Sequence, residues 1–195
     1  MRIVVLIENT SAAERLKAEH GLCLYVEHAG ERYLIDAGAS DRFLTNAKRL
    51  RIDPLSVGKI AVSHNQSDHT GGLETLIKQN PAVQIYARAA GNAEFYMKYG
   101  PIHVSVGTLA ELYEEYPENF VFYNSFQRIG EGFYAMANEV PDTTMYSEEP
   151  RLFRKSSARL IRDDYSHEAF FVLFPSGRTE DGCVVISCCS HCGIV

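Results

Sequence analysis

A mixed α/β (α+β) fold is predicted by two apolar rhythms that alternate along the chain. Short continuous apolar runs at residues 3–7, 59–62, 169–174 and 183–187 have the length of buried strands. Phe43, Leu44, Ala47 and Leu50 recur instead at helical spacing. Size is the third observation: 195 residues, 46% hydrophobic and 23% charged, suffice for one sizeable core. No linker-like stretch divides them, so residues 1–195 are expected to form a single domain.

In chain order, residues 3–7 read as a buried strand, which Glu8-Asn9-Thr10-Ser11 ends. Residues 12–18 fit either a short helix or an irregular excursion. Residues 21–27 and 32–35 flank His28-Ala29-Gly30-Glu31, a spacing that predicts a β-hairpin. Asp36-Ala37-Gly38 turns out of it. Residues 41–50 then form an amphipathic helix, with Asp41 near its start and Lys48, Arg49 and Arg51 near its end, where each charge suits the helix dipole.

Asp53-Pro54 restarts the chain, and Lys59-Ile60-Ala61-Val62 reads as a buried strand followed by a helix over residues 73–78. A strand at 83–86, a helical segment at 90–99 stopped by Gly100-Pro101, a helix at 109–116 and strands at 120–123 and 133–137 come next. Residues 138–164 show no clear period. Residues 169–174 and 183–187 are expected to pair as antiparallel strands around Pro175-Ser176-Gly177-Arg178.

A net charge of −6 argues against non-specific nucleic-acid binding, which rewards clustered Lys and Arg, and favours a small-molecule substrate. The apolar run at the N-terminus is cut short by Glu8 and Asn9, and no run approaches a membrane span, so a cytoplasmic protein with no membrane partner is expected. Five cysteines, three of them crowded at Cys188, Cys189 and Cys192, form no disulfide framework and fit a reducing compartment.

The chemistry concentrates in Ser63-His64-Asn65-Gln66-Ser67-Asp68-His69-Thr70-Gly71-Gly72, between a strand and a helix. In an extended loop His64 and residue 66 point to one side, and Asp68 and His69 meet them from the turn. Imidazole and carboxylate groups so placed suit zinc, iron or manganese. A plainer reading also fits: an Asx-rich loop in which Asp68 or Thr70 caps the following helix.

This stretch resembles the His-x-His-x-Asp-His signature of the metallo-β-lactamase superfamily, with Gln66 in place of the second histidine. The resemblance implies metal ligands at His64, Asp68 and His69, a weakened metal position at Gln66, and a support role for Asp36, whose Asp-x-Gly turn matches the family's aspartate that orients a ligand histidine from behind. Read alone, Asp36 is equally a turn aspartate bonded to its own backbone. Glu8-Asn9-Thr10, Glu19-His20-Gly21-Leu22 and residues 46–53 are similar to one branch of the superfamily, the dihydropterin (ribofuranosylaminobenzene 5'-phosphate) synthase-like proteins.

Cys189-Ser190-His191-Cys192-Gly193-Ile194-Val195 looks like that branch's Gly-Cys-Ser-His-x-Gly-Ile-Val element, which makes His191 a further ligand and places Cys188 at the family's glycine. Cys189 belongs to the pocket on the same match. Two other readings of these residues are a Cys189-x-x-Cys192 redox pair and a Ser190-His191 nucleophile. His167 and Glu168, in the branch's acidic segment, either reach the pocket or lie in solvent, and solvent is the expectation for a charged loop. His20, His28 and His103 have no partner pattern.

The resemblance implies an αββα sandwich, incomplete at the C-terminus because family members continue through further strands, helices and another histidine. The second sheet would then expose an edge suited to homodimer formation. The implied function is a metal-dependent hydrolase that uses metal-activated water, with Asp68 orienting the nucleophile and zinc, as one or two ions, ahead of iron or manganese. Gln66 and the short C-terminus would weaken it. The alternatives are an inactive relative that binds a ligand or partner and a pterin-pathway synthase-like enzyme.

Overall fold

The computed structural model describes residues 1–11, 13–138, 151–176 and 179–193. Ala12, Gly177, Arg178, Ile194 and Val195, and residues 139–150 of the aperiodic stretch, lie outside the described residues.

The first sheet has six strands in the order β1 (Arg2–Ile7), β2 (Cys23–His28), β3 (Glu31–Ile35), β4 (Lys59–Ala61), β5 (Gln84–Arg88) and β8 (Phe120–Tyr123). The first three are antiparallel neighbours, and β3, β4, β5 and β8 run parallel. Parallel neighbours require crossovers, and helices supply them: α1 (Arg42–Leu50) leads into β4, α2 (Ser67–Thr70) and α3 (Leu73–Gln79) into β5, and α4 (Leu109–Glu115) into β8.

Side chains alternate along these strands, so each face has its own core. Leu34, Ile60 and Ile85 meet Phe43, Ala47, Leu73, Leu76, Ile77 and Leu109 from the helices. On the other face Tyr33, Ile35, Ala61 and Tyr86 meet Phe133, Ala135, Phe171 and Leu173 of a second sheet. That sheet has four strands: β14 (Val184–Ile186), β13 (Ala169–Leu173), β10 (Phe133–Ala137) and β9 (Phe126–Gly130). Tyr33 and Phe133 bridge the sheets edge to face, with centroids 4.9 Å apart, a favourable ring geometry. Helices, sheet and sheet are thus stacked as an α+β sandwich, and the described residues after β10 contain no α-helix.

Several expectations need correction. The segment expected to be helical at 90–99 is a short 3₁₀ turn at Ala89–Gly91 followed by β6 (Phe95–Tyr99), which hairpins into β7 (Ile102–Ser105). The aperiodic stretch holds a second hairpin, β11 (Leu152–Ser156) and β12 (Arg159–Arg162), and the two hairpins join as a separate four-stranded sheet. β7 and β12 are exposed throughout, so no burial rhythm marked them. β1 is not buried as expected, because it is an end strand with Ile3 and Val5 facing solvent. Residues 13–18 take the irregular course, held where the Asn46 carboxamide bonds both the N–H and the C=O of Lys17. Among the described residues, no helix is long and apolar enough to cross a membrane.

Candidate metal centre

β3 and β4 are parallel neighbours with Ile35 paired to Ala61, so Asp36 and Ser63 leave the sheet side by side. Asp36 adopts φ 57°, in the left-handed region that an L-residue rarely enters, and its carboxylate is fully buried. Such conformations persist where the surroundings over-determine them. Here the Asp36 carboxylate accepts the Ser63 N–H at 2.8 Å, the Ser63 hydroxyl at 2.7 Å and His69 Nδ1–H at 2.7 Å. His69 C=O in turn accepts the Ala37 N–H. Gly71 completes the seat, because a Cβ there would stand 2.2 Å from the Ala39 carbonyl oxygen.

These bonds fix where the ring protons lie. The Ser63 hydroxyl has one proton and gives it to Asp36, so toward His64 Nδ1, 2.9 Å away, Ser63 can only accept. Burial holds His64 well below its ordinary pKa, and the neighbouring histidines add to this, so the ring is neutral with its proton on Nδ1. His64 Nε2 therefore carries a lone pair, and it faces Gln66 Oε1 at 3.2 Å. The other end of that carboxamide, Gln66 Nε2, is buried without a partner.

His69 points the same way. With Nδ1 committed to Asp36, its Nε2 meets Cys189 Sγ at 3.1 Å and Asp68 Oδ2 at 3.4 Å. Burial opposes a charge on this ring, but Asp36, Asp68 and Cys189 push its pKa up to about 12. Burial likewise opposes ionisation of Asp68, yet its bond to His69 and the adjacent charges keep its carboxyl below the usual carboxylate range. Among the described residues, His64, His69 and Cys189 offer ligand atoms that all lie within 4.8 Å of one another. Two imidazoles and a thiol are the donor types that zinc takes, so the chemistry of this set fits such an ion.

The second loop follows β14. Glu168, only 2% exposed, accepts the backbone N–H of His191 at 2.8 Å and that of Cys192 at 2.9 Å. His191 stacks on Tyr165, centroids 4.5 Å apart, and lies 5.2 Å from the His64 ring. Its Nε2 is buried without a partner, and burial lowers its pKa. Tyr165 and Ser190, like Asp36, are non-glycine residues at positive φ.

His167 and Glu168 are not solvated, as a charged loop would be; both are buried. His167 Nδ1 accepts the Asn65 N–H at 2.9 Å, which leaves Nε2–H for Asp163 at 3.1 Å. Both ring nitrogens are occupied, so His167 braces the loop and is not free to bind an ion. Cys192 meets the Tyr165 carbonyl while Cys189 meets His69, and burial together with Glu168 pushes the Cys192 thiol up to about 12. A redox pair needs a reactive thiolate, and Cys192 is the opposite. Asp68 and Thr70 do not cap a helix with their side chains; Gln66 stands at the N-cap of α2 without a capping bond.

The profile of the metallo-β-lactamase superfamily matches residues 16–154. The chain belongs to the metallo-β-lactamase superfamily. It is 29% identical over 195 residues to the 7,8-dihydropterin-6-methyl-4-(β-D-ribofuranosyl)-aminobenzene-5'-phosphate synthase of Methanocaldococcus jannaschii, covering 91% of this chain. The chain spans 63% of that relative's length. Among solved structures it is similar to a metal-dependent hydrolase of the β-lactamase superfamily, with TM-score 0.75 and 24% identity over 97% of this chain and 66% of that one. The metallo-β-lactamase MIM-1 from Novosphingobium pentaromativorans gives TM-score 0.50 and 17% identity over 86% of this chain and 54% of that one. At these identities the structures speak for the fold alone.

Residues 63–72 lie within the matched region, whereas His167, Glu168, Cys189 and His191 lie beyond it. The structure brings together His64, Gln66, Asp68, His69 and Asp36. Cys189, which the sequence placed only in the pocket, stands closer to the ligand cluster than its pattern alone suggests. Two residues were missed. The Asn65 side chain ties its loop to two segments, through Gly91 and Ala93 and through Thr108 and Leu109, and His20 Nε2 lies 3.4 Å from Asp68 Oδ2. The only sequence signal for either was its place within or beside a family motif.

Proposed function

We propose that this chain is a metal-dependent hydrolase of a small-molecule substrate, with zinc held by His64, His69 and Cys189. The observation that carries the reading is the convergence of two imidazoles and a thiol: ligand atoms of His64, His69 and Cys189 all lie within 4.8 Å of one another, with Gln66 Oε1 3.2 Å from His64 Nε2. Thiolate with imidazole favours zinc over manganese. His191, with its unpartnered Nε2, and Asp68 stand beside these ligands.

A divalent ion there would supply Lewis acidity toward water and toward a carbonyl or phosphoryl oxygen. Asp36 fixes the orientation of His69 and, through Ser63, of His64. Asp68, whose side chain is 19% exposed, is the carboxylate placed to take a proton from an attacking water. Gln66 contributes a neutral and weaker oxygen where the family has imidazole, which supports one well-held ion and not two.

A second reading, a pterin-pathway synthase-like enzyme, is supported by the archaeal relative. One experiment separates the two. The zinc-loaded chain is offered ester, phosphodiester and β-lactam substrates, and separately the precursors of a pterin product. Chelator-sensitive hydrolysis supports the hydrolase, and accumulation of the pterin product supports the synthase. A zinc-loaded chain inert toward all of them points to the binding-only relative.

A further inference from the structure

We propose that Arg88 and Tyr123 form a subsite for an anionic group of the substrate, a carboxylate or a phosphate, beside the metal centre. The inference deepens the hydrolase reading and rests on it for the reacting end of the same molecule.

Strand register places the two residues. β3, β4, β5 and β8 run parallel, so their C-terminal ends share one edge of the sandwich, the edge at which Asp36 and Ser63 leave the sheet. Ala61 pairs with Tyr86, and the Val62 N–H extends the ladder to the Tyr86 carbonyl at 2.9 Å, so two residues on Ser63 stands opposite Arg88. Arg88 in turn pairs with Tyr123 at the end of β8. Alternation turns these side chains to the face of Ala61, Tyr86 and Val121, which meets the second sheet. Arg88 is thus one strand away from the serine that contacts His64.

Neither side chain is satisfied there. Arg88 is 9% exposed and Tyr123 5%. Among the described residues, Arg88 Nε and Nη1 and the Tyr123 hydroxyl are buried without a hydrogen-bond partner. A guanidinium is always charged, so it cannot escape burial by losing its proton, and a buried charge without a partner is strongly destabilising. Packing alone therefore does not account for an arginine in this place. An oxyanion does: the planar guanidinium matches carboxylate or phosphate oxygens, and the adjacent phenol adds a further donor. Burial pushes the Tyr123 pKa up, Arg88 opposes this and the Asp36 carboxylate adds to it, so the hydroxyl keeps its proton and can donate. Ala89, Asn124 and Ser125, the next residues along, are exposed, so the pair lies just beneath the surface at the loop edge.

Thermal melting of the full chain, freed of metal by chelator, tests this with inorganic phosphate and acetate as probes at constant ionic strength. An anion that binds only the folded chain raises its melting temperature. In buffer without either probe, Arg88→Met should melt above the parent, because a buried unpaired charge has been removed. At least one probe should raise the melting temperature of the parent and leave that of Arg88→Met unchanged, and the larger shift identifies the group as phosphate or carboxylate. Calorimetry should show Tyr123→Phe binding the same anion about tenfold more weakly, the loss of one hydrogen bond to a charged group. No shift with either probe, an equal shift in parent and Arg88→Met, or an Arg88→Met chain that melts below the parent or fails to fold would overturn the subsite. So would a Tyr123→Phe chain that binds as tightly as the parent. The measurement needs no metal, so a chain that takes up no zinc would overturn the hydrolase reading and leave this result standing.

Discussion

His69 Nε2 and Cys189 Sγ meet at 3.1 Å across 120 residues of chain. The contact joins the loop after β4 to the loop after β14, one from each sheet of the sandwich. His69 cannot turn away, because Asp36 holds its other nitrogen, and Asp36 is held in turn by Ser63. The site is thus assembled only when both sheets have packed.

Asp36→Asn should weaken both the fold and the site. One acceptor oxygen becomes an NH₂ facing donors from Ser63 or His69 in a fully buried position, a change that costs about 1–3 kcal/mol. Zinc affinity should fall by about 10–100-fold, as for other outer partners of a ligating histidine. Chemical denaturation and zinc competition with a chromophoric chelator measure the two effects separately.

Glu168→Gln should loosen the second loop. The carboxylate accepts two backbone N–H groups there, and an amide can satisfy only one of them while presenting a donor to the other, a loss of about 1–3 kcal/mol. Hydrogen exchange should accelerate at the His191 and Cys192 amides while the amides of β3 and β4 stay protected.

Metal uptake should release protons and weaken as pH falls. Without an ion, Asp36, Asp68 and Cys189 overcome burial and raise the His69 pKa to about 12, so near neutral pH a proton occupies Nε2 and must leave before a metal can bind. The apparent affinity should rise with pH throughout the range below that value. Calorimetry in two buffers of different ionisation enthalpy counts the protons released; identical heats in both would contradict the assignment.

Gln66→His should bind zinc more tightly than the parent, since imidazole is the stronger ligand for a borderline metal and position 66 already faces His64. Chelator competition gives the ratio directly. An unchanged affinity would mean that residue 66 lies outside the coordination sphere.

Much of this architecture was legible in the chain, and the parts that were not share a cause. β3, β4, β13 and α1 bury one face or both, so their apolar rhythm showed in the sequence. β7 and β12 expose every residue, so burial left no pattern in them, whereas β1 was legible as a strand and only its burial was overread, because it ends a sheet. At the site, the strand-to-helix loop was legible because its residues are adjacent in sequence. His167 was misread because what buries it, the Asn65 backbone and Phe95, is distant in sequence. His20 was passed over for a similar reason, since Asn9 and Asp68 reach it from either side.

The central claim is that imidazole and the Cys189 thiolate share one ion, and zinc-edge X-ray absorption of the zinc-loaded chain tests it most directly. The account predicts a sulfur neighbour at about 2.3 Å together with nitrogen or oxygen neighbours at about 2.0–2.1 Å, and loss of the sulfur shell in Cys189→Ala. A spectrum fitted by nitrogen and oxygen alone in the parent chain, or a chain that retains no zinc, would contradict it.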